Sequence, residues 1–483
     1  MSHNIHQYWQ NTLRYMRCHI KRRNEINSDI IYMSHNLKSI QGKRYKEKQG
    51  WIKLYIYGSP YIRGFAHGYL LHKELDLVME IFPTLVRTDL DVSYEKYIKD
   101  CTQIITPRLC ESCVEIYHEL QGIVAGYNTK GGKMSIEELI AWNSMTSMYT
   151  YYKPDSCADR CSAFIACGNA TEKGDIVMAH NSHGDYVFAR VVNVIIHIKP
   201  EKGHAFTMQC CPGYVASGLD WFVTEKGIIG CETTIGSFTK QPDFTKNTPY
   251  FCRIREVMQY GKNLDECANM MIKDNAGDYP CSWLFGDVNN NEIMLCELGL
   301  KYTHVEKKKD GIFYGMNSAI NEDIRKKETS DQTHWRTSTT SGARNVRLHV
   351  LLYETYQNKI NIKSAKKIIS DHHDVFLDKS TEGNSRTLCK HSENDTIKNN
   401  QKMPRPFGAI DGKVINTQMA KQMSFYGIYG NSCGKAFNPK TFTLRIKKQS
   451  RSNKKKIRRS TKKLLPQLKH IRSYKWTNIK VKN

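Results

Sequence analysis

No run of about 18 uncharged apolar residues occurs in this 483-residue chain, so nothing in it reads as a membrane-spanning helix. The first 40 residues carry aromatics and bases but lack the apolar stretch of a signal peptide. Secretion by the usual route is not expected, and an intracellular location is favoured. Walker and dinucleotide glycine fingerprints are also missing. Acid is scarce, with 47 Asp and Glu against 72 Lys and Arg, a net charge of +25. From Ile446 to Asn483 there are fifteen Lys and Arg and no acid at all. That segment is expected to be a disordered basic tail, able to attract nucleic acid or anionic lipid through its charge alone.

Cysteine is not scarce. Sixteen are present, but a long chain without an export signal belongs in a reducing compartment, so most are expected to be buried thiols. Cys110-Glu-Ser-Cys113 has knuckle spacing without a second ligand pair nearby. His372-His373-Asp374 suggests a metal only by composition, since adjacent histidines point in different directions. Neither a metal nor a cofactor is expected.

Residues 1–50 are a polar, basic lead-in of weak periodicity, and the fold is expected to begin at Trp51. Residues 51–57 alternate as a strand and end at Gly58-Ser59-Pro60. Apolar residues at three and four spacing then predict helices over 63–86 and 93–128, and Ser135-Ile-Glu-Glu138 is a capping box opening another. After Asp155 short strands follow one another, at 162–166, 176–180, 191–198, 205–209, 221–224 and 228–232. Helices are expected at 249–260 and 263–273, strands at 282–287, 292–297 and 302–306, and helices again at 342–356 and 362–371. Strand blocks and helix blocks in this order predict an α+β fold with layered sheets. The chain divides into a lead-in (1–50), a helical region (51–160), a region 161–445 that carries the chemistry, and the tail (446–483).

The sharpest chemical signal is Arg160-Cys161, which stands immediately before a β-patterned stretch. A free cysteine has a pKa of about 8.5 and is mostly protonated at neutral pH, so a nucleophilic cysteine needs a base. Cleavage before Cys161 would supply one, because an α-amine of pKa about 7.7 to 8.0 on the same residue can take the thiol proton.

Arg160-Cys161-Ser162-Ala163-Phe164, His180-Asn181, Glu232-Thr233-Thr234-Ile235-Gly236 and Ser385-Arg386-Thr387-Leu388-Cys389-Lys390-His391 together resemble the acyl-coenzyme A:6-aminopenicillanic acid acyltransferase family and its phospholipase B-like relatives. The resemblance runs from about Trp51 to Lys440 and includes Gly277-Asp-Tyr-Pro-Cys-Ser-Trp283 and Gly408-Ala-Ile-Asp-Gly-Lys-Val414. It implies an autoproteolytic N-terminal-nucleophile hydrolase with a four-layer αββα sandwich. It also implies reaction at an amide or ester acyl carbon of a small molecule or phospholipid, and a residue 1–160 chain that stays associated after cleavage. Cys161 would be the nucleophile. Asn181 and His183 are the first candidates for polar partners, with Asp185 able to take the orienting role from a shifted position. Glu232 and Thr233 either face the site or satisfy a sheet edge. Arg386 and His391 either bind a substrate carboxylate or fix a loop. Two departures stand out: Ser182-His183 where relatives carry Thr-Trp, or an Asp at the position of His183, and Cys281 where they place an oxyanion-donating Asn. A thiol is a poor donor, which motivates the rival expectation of a degenerate scaffold that binds nucleic acid or membrane through its tail.

Overall fold

Alternating apolar residues in the middle of the chain build two sheets, and the computed structural model describes them through residues 40–156, 160–396, 403–452 and 457–481. Residues 1–39 of the lead-in, 157–159, 397–402, 453–456 and 482–483 lie outside the described residues. Strands β1 (Gly42–Lys48) and β2 (Trp51–Gly58) come first, so the fold begins before Trp51. Next are β3 (Cys161–Gly168), β4 (Gly174–Asp185), β5 (Val194–Pro200), β6 (Phe206–Cys210), β7 (Trp221–Thr224) and β8 (Ile228–Thr234). Then come β9 (Cys281–Asp287), β10 (Glu292–Leu298), β11 (Thr303–Lys308) and β12 (Gly311–Gly315). The last are the two-residue pair β13 (His373–Asp374) and β14 (Lys379–Ser380), followed by β15 (Phe407–Ala409), β16 (Asp411–Asn416), β17 (Ser424–Tyr429) and β18 (Thr477–Lys480).

A nine-stranded sheet runs β1-β2-β5-β6-β7-β8-β9-β10-β11, and a seven-stranded sheet runs β12-β3-β4-β16-β17-β18 with β15 beside β4. Period-two alternation assigns each strand's faces. Ala163, Ile165 and Cys167 of β3 pack with Ile229, Cys231 and Leu284 between the sheets. Phe164 and Ala166 pack outward against Leu348 and Ile368 from the helices Thr340–His349 and Ile362–Ile369. The outer face of the larger sheet, including Leu54, Ile196 and Phe285, is covered by the N-terminal helices and by Tyr250–Tyr260 and Leu264–Ile272. The molecule thus mixes α and β elements around two sheets.

The helix expected over 63–86 is two, Pro60–Leu70 and His72–Leu85, and that over 93–128 is three. Pro107 causes one of those breaks: it cannot continue a helix but suits the first turn of Thr106–Ser112. Ser135 and Glu138 cap Ile136–Asn143 reciprocally, as their spacing predicts. Gly64 and Gly68 face the helix Val114–Thr129 so closely that a Cβ at either would strike the carbonyls of Glu119 and Ile123.

The described part of residues 446–483 is folded, against the expectation of a disordered tail. It contains the end of the helix Pro439–Ser452, the helix Arg459–Leu464 and β18, which pairs antiparallel with β17. Apolar residues spaced among the bases explain this: Ile446, Leu464, Leu468, Ile471, Ile479 and Val481 are all buried.

Candidate active site

Cys161 opens β3, and register decides its neighbours. It pairs with Ser182 of β4, while Ser162 pairs with Asn181 and Ala163 with His180. Because side chains alternate across a strand, Ser182 and His180 share the face of Cys161, and Asn181 lies on the opposite one. There its Nδ2 donates to the carbonyls of Ile369 at 2.8 Å and Leu388 at 3.0 Å. Asn181 therefore ties the sheet to its outer layer and is not a partner of the thiol, a correction that the one-residue parity of a strand explains.

The Arg160–Cys161 peptide is gripped at both ends. The backbone N–H of His183 donates to the carbonyl oxygen of Arg160. Asn317 Oδ1 accepts from the amide of Arg160 at 2.9 Å and from that of Cys161 at 3.0 Å. Asn317 follows β12 with φ of 76°, a left-handed conformation that Asn tolerates, and its Nδ2 donates to Thr234 O at 2.9 Å. Arg344, fully buried on the helix Thr340–His349, donates to the Cys161 carbonyl, to Ser162 Oγ at 3.0 Å and to Asn317 Oδ1 at 3.0 Å.

Around the sulfur the field is acidic. One oxygen each of Asp220 and Glu232 lies with Cys161 Sγ in a group whose members are all within 4.8 Å of one another. Both carboxyls are buried and close together, so burial followed by mutual repulsion pushes Glu232 well up, and burial raises Asp220 as well. Tyr250 donates to Asp220 at 3.0 Å, and Tyr279 donates to Glu232 while its hydroxyl meets Thr234 Oγ1 at 2.6 Å. Each phenol takes one oxygen of its carboxylate, Tyr279 on Glu232 Oε1 and Tyr250 on Asp220 Oδ1. Burial first, then Glu232 and Asp220, hold the Cys161 thiol well above its ordinary range, while Lys413 opposes them. Lys413 is itself buried, with Nζ 2.9 Å from Asp411 Oδ1, 2.9 Å from Ser182 Oγ and 3.1 Å from Leu219 O.

A cavity of about 270 Å³ opens beside the sulfur. Trp142, Tyr149, Tyr214, Phe188 and Phe407 supply apolar wall, and His183, Asp185 and Thr234 also line it. The Arg160 guanidinium enters it, 4.6 Å from the Tyr149 ring centre. Asp185 shares a hydrogen bond with Asp89, and burial followed by that neighbouring carboxylate lifts it to about 7. It faces the arginines 160 and 405 across the cavity wall.

The remaining expected residues lie elsewhere. Thr233 packs against Gly315 between the sheets, and Thr234 is the member of that motif in the cavity wall. Arg386 does not reach the cavity: its Nη2 is 2.7 Å from Asp374 Oδ2 in a buried ion pair. His391 is outside it too, with Nδ1 2.9 Å from Glu393 Oε1. Cys281 pairs with Thr234 on the neighbouring strand and does not line the cavity. Asn317, Arg344 and Asp220 were missed. Tyr279 and Lys413 stand inside blocks quoted for the family resemblance, and that position was the available signal for them. Thirteen described cysteines are free thiols, twelve of them buried, as expected for most of them, whereas Cys110 is disulfide-bonded, against the expectation of a reducing setting.

No protein-family model matches the chain. A stretch of 267 residues, half of this chain, is 23% identical to an uncharacterised protein of Archaeoglobus fulgidus and spans 42% of that protein's length. Among solved structures, a mutant conjugated bile acid hydrolase from Clostridium perfringens is similar at a TM-score of 0.34, with 10% identity over 56% of this chain and 89% of that one. Penicillin V acylase from Agrobacterium tumefaciens is similar at a TM-score of 0.32, with 13% identity over 55% of this chain and 82% of that one. At this level of likeness, the chemistry of the chain has to be read from its own side chains.

Proposed function

We propose that this chain is a cysteine N-terminal-nucleophile hydrolase or acyltransferase that cuts itself before Cys161 and then acts on an amide or ester acyl group. The observation that carries this reading is the grip on the Arg160–Cys161 peptide, with a donor on its carbonyl oxygen and an acceptor on its amide nitrogen. In the first step Cys161 Sγ adds to the Arg160 carbonyl carbon. Negative charge gathers on the oxygen that faces the His183 N–H, an oxyanion donor of the kind worth about 10² to 10³ in rate. The C–N bond breaks, the thiol proton passes to the leaving nitrogen, and a thioester remains. Water then releases Arg160 as a carboxylate and restores the thiol.

The new α-amine lies beside Asn317 Oδ1, which orients it. That amine can take the Cys161 proton, which the surrounding carboxylates discourage from leaving to solvent. The thiolate then attacks a substrate acyl carbon in the same place, once the Arg160 side chain has left the cavity. The aromatic wall suits an apolar acyl chain, including a fatty acyl group. The backbone donor from His183 answers the loss of an Asn donor at Cys281. Two facing sheets with helices on both outer sides agree with the αββα sandwich that the family resemblance implies. Cleavage would leave β1 and β2 inside the nine-stranded sheet, β2 paired in parallel with β5, which accounts for a small chain that stays bound. Incubating the mature protein with amide- and ester-linked fatty acyl compounds and measuring adduct mass tests the reading. An acyl group on Cys161 supports it, and labelling of any other residue sinks it.

A second reading concerns the basic C-terminal region, where Lys447, Lys448 and Arg451 are exposed on the helix Pro439–Ser452. Acid-free and solvent-facing, they suit nucleic acid phosphates or an anionic membrane. Deleting the region would remove β18 from its sheet, so charge reversal at these three positions is the cleaner test. Salt-sensitive binding to duplex DNA or anionic vesicles should fall, and unchanged binding would place the basic surface elsewhere.

A further inference from the structure

Four side chains from three separate segments meet on the far side of β4 from the cavity. His372 follows the helix Ile362–Ile369, Cys389 and His391 lie on the loop before β15, and Cys433 lies in the turn after β17. One donor atom from each stands within 4.8 Å of every other. Sγ of Cys389 and Sγ of Cys433 are each 3.4 Å from Nε2 of His391. A tetrahedral zinc ion, with bonds of about 2.3 Å to sulfur and 2.0 to 2.1 Å to nitrogen, places its ligand atoms about 3.3 to 3.8 Å apart. The observed contacts have that spacing.

The surroundings are those of ligands. Glu393 Oε1 takes Nδ1 of His391 at 2.9 Å, and Glu393 Oε2 accepts from the Tyr186 hydroxyl at 2.8 Å. A carboxylate on one ring nitrogen fixes the tautomer and aims the other nitrogen at a metal. Here that other nitrogen points between two sulfurs. Nε2 of His372 is buried without a hydrogen-bond partner. Gly383, at φ of 87°, lies so close that any side chain there would strike the ring of His391 and crowd that of His372. The loop is therefore drawn tightly over the cluster by a residue chosen for having no side chain.

We propose that His372, Cys389, His391 and Cys433 form a structural zinc site that staples the loop before β15 to the turn after β17. Two thiol protons leave to solvent as the ion binds, and no electron transfer is involved. Four protein ligands close the coordination shell, which marks a structural role. Sequence spacing hides the site, because His372 belongs to the discounted His372-His373-Asp374 run and only His372 of that run faces the cluster. The staple has a route to the cavity: Leu388, next to ligand Cys389, presents the carbonyl that receives Asn181 Nδ2 at 3.0 Å and lies 3.1 Å from His183 Nε2.

The inference does not depend on cleavage at Cys161 and is tested without it. The full chain is purified from zinc-supplemented cells, dialysed against a weak chelator, and its metal content measured by mass spectrometry. Cobalt exchange is followed by visible absorption. The expected result is about one zinc per chain, a tetrahedral thiolate-cobalt spectrum, and retention of both in Cys161→Ala. Cys433→Ser and His372→Ala, at the half-exposed corners, should each weaken zinc binding by roughly tenfold or more. If either variant does not fold, chelator competition against the unaltered chain gives the affinity directly. A metal-free chain that ignores added zinc and cobalt would overturn the proposal. So would a Cys389–Cys433 disulfide that persists in reductant and zinc, or zinc lost from Cys161→Ala but kept by Cys433→Ser.

Discussion

Cys161 opens an interior strand and Cys389 and Cys433 lie on connections beside the same sheet, yet their neighbours are opposite in kind. Cys161 faces Asp220 and Glu232, and the other two face the imidazole of His391. A carboxylate resists the loss of a thiol proton, so the first cysteine is held protonated. Imidazoles donate lone pairs beside sulfur, so the second group offers a cation four neutral or anionic donors at once. Cysteine count and burial do not separate these tasks, and the charge of the nearest side chains does.

The strongest way to break this comparison is to exchange the roles. Cys161→Ala should abolish cleavage entirely while leaving zinc content unchanged, as read by intact mass and metal analysis of the same preparation. A cut that survives would remove Cys161 from the chemistry.

Much of this was legible in the sequence at the level of elements, and less at the level of the site. The strand expected at 221–224 is β7 to the residue, and β3, β8 and β9 each differ from expectation by two residues or fewer at either end. Period-two alternation is a local property and survives reading one residue at a time. Asn181 misled because its role depends on which face it takes, and that follows from pairing with Ser162. Arg344 and Asn317 escaped because neither belongs to a local pattern: one is a helix arginine, the other a left-handed Asn after an edge strand. The C-terminal strand was hidden by charge, since fifteen bases drew the reading away from the six apolar residues that anchor it.

Next in size is the grip on the peptide. Asn317→Ala should slow maturation by about 10²-fold, the cost of a misplaced reacting group, in a time course of the two fragments. An unchanged rate would show that the His183 N–H alone holds the bond. Smaller again is the effect of the acidic field. Asp220→Asn combined with Glu232→Gln removes the charge that raises the thiol, so the alkaline limb of the cleavage profile should move toward acid by on the order of one pH unit. A move toward base would mean that these carboxyls assist the proton transfer.

The smallest effect sets the background for both cysteine regions. His67 is fully buried, and burial lowers it to about 4, while its Nε2 accepts from the Gly213 amide at 2.9 Å. Since the unfolded chain binds this proton near pH 6.5 and the folded chain does not, stability is intact above 6.5 and falls as pH drops toward 4. The loss between pH 6.5 and 5.5 should be about 1 kcal/mol from this residue. Denaturant unfolding of His67→Gln at the two pH values checks it, and an equal slope in the variant would assign the loss to other groups.

The central claim is that the chain is cut at one peptide by the residue that follows it. N-terminal sequencing of the larger fragment tests this most directly. The account predicts that it begins Cys161-Ser162-Ala163-Phe164; an uncut chain, or a fragment beginning anywhere else, would contradict it.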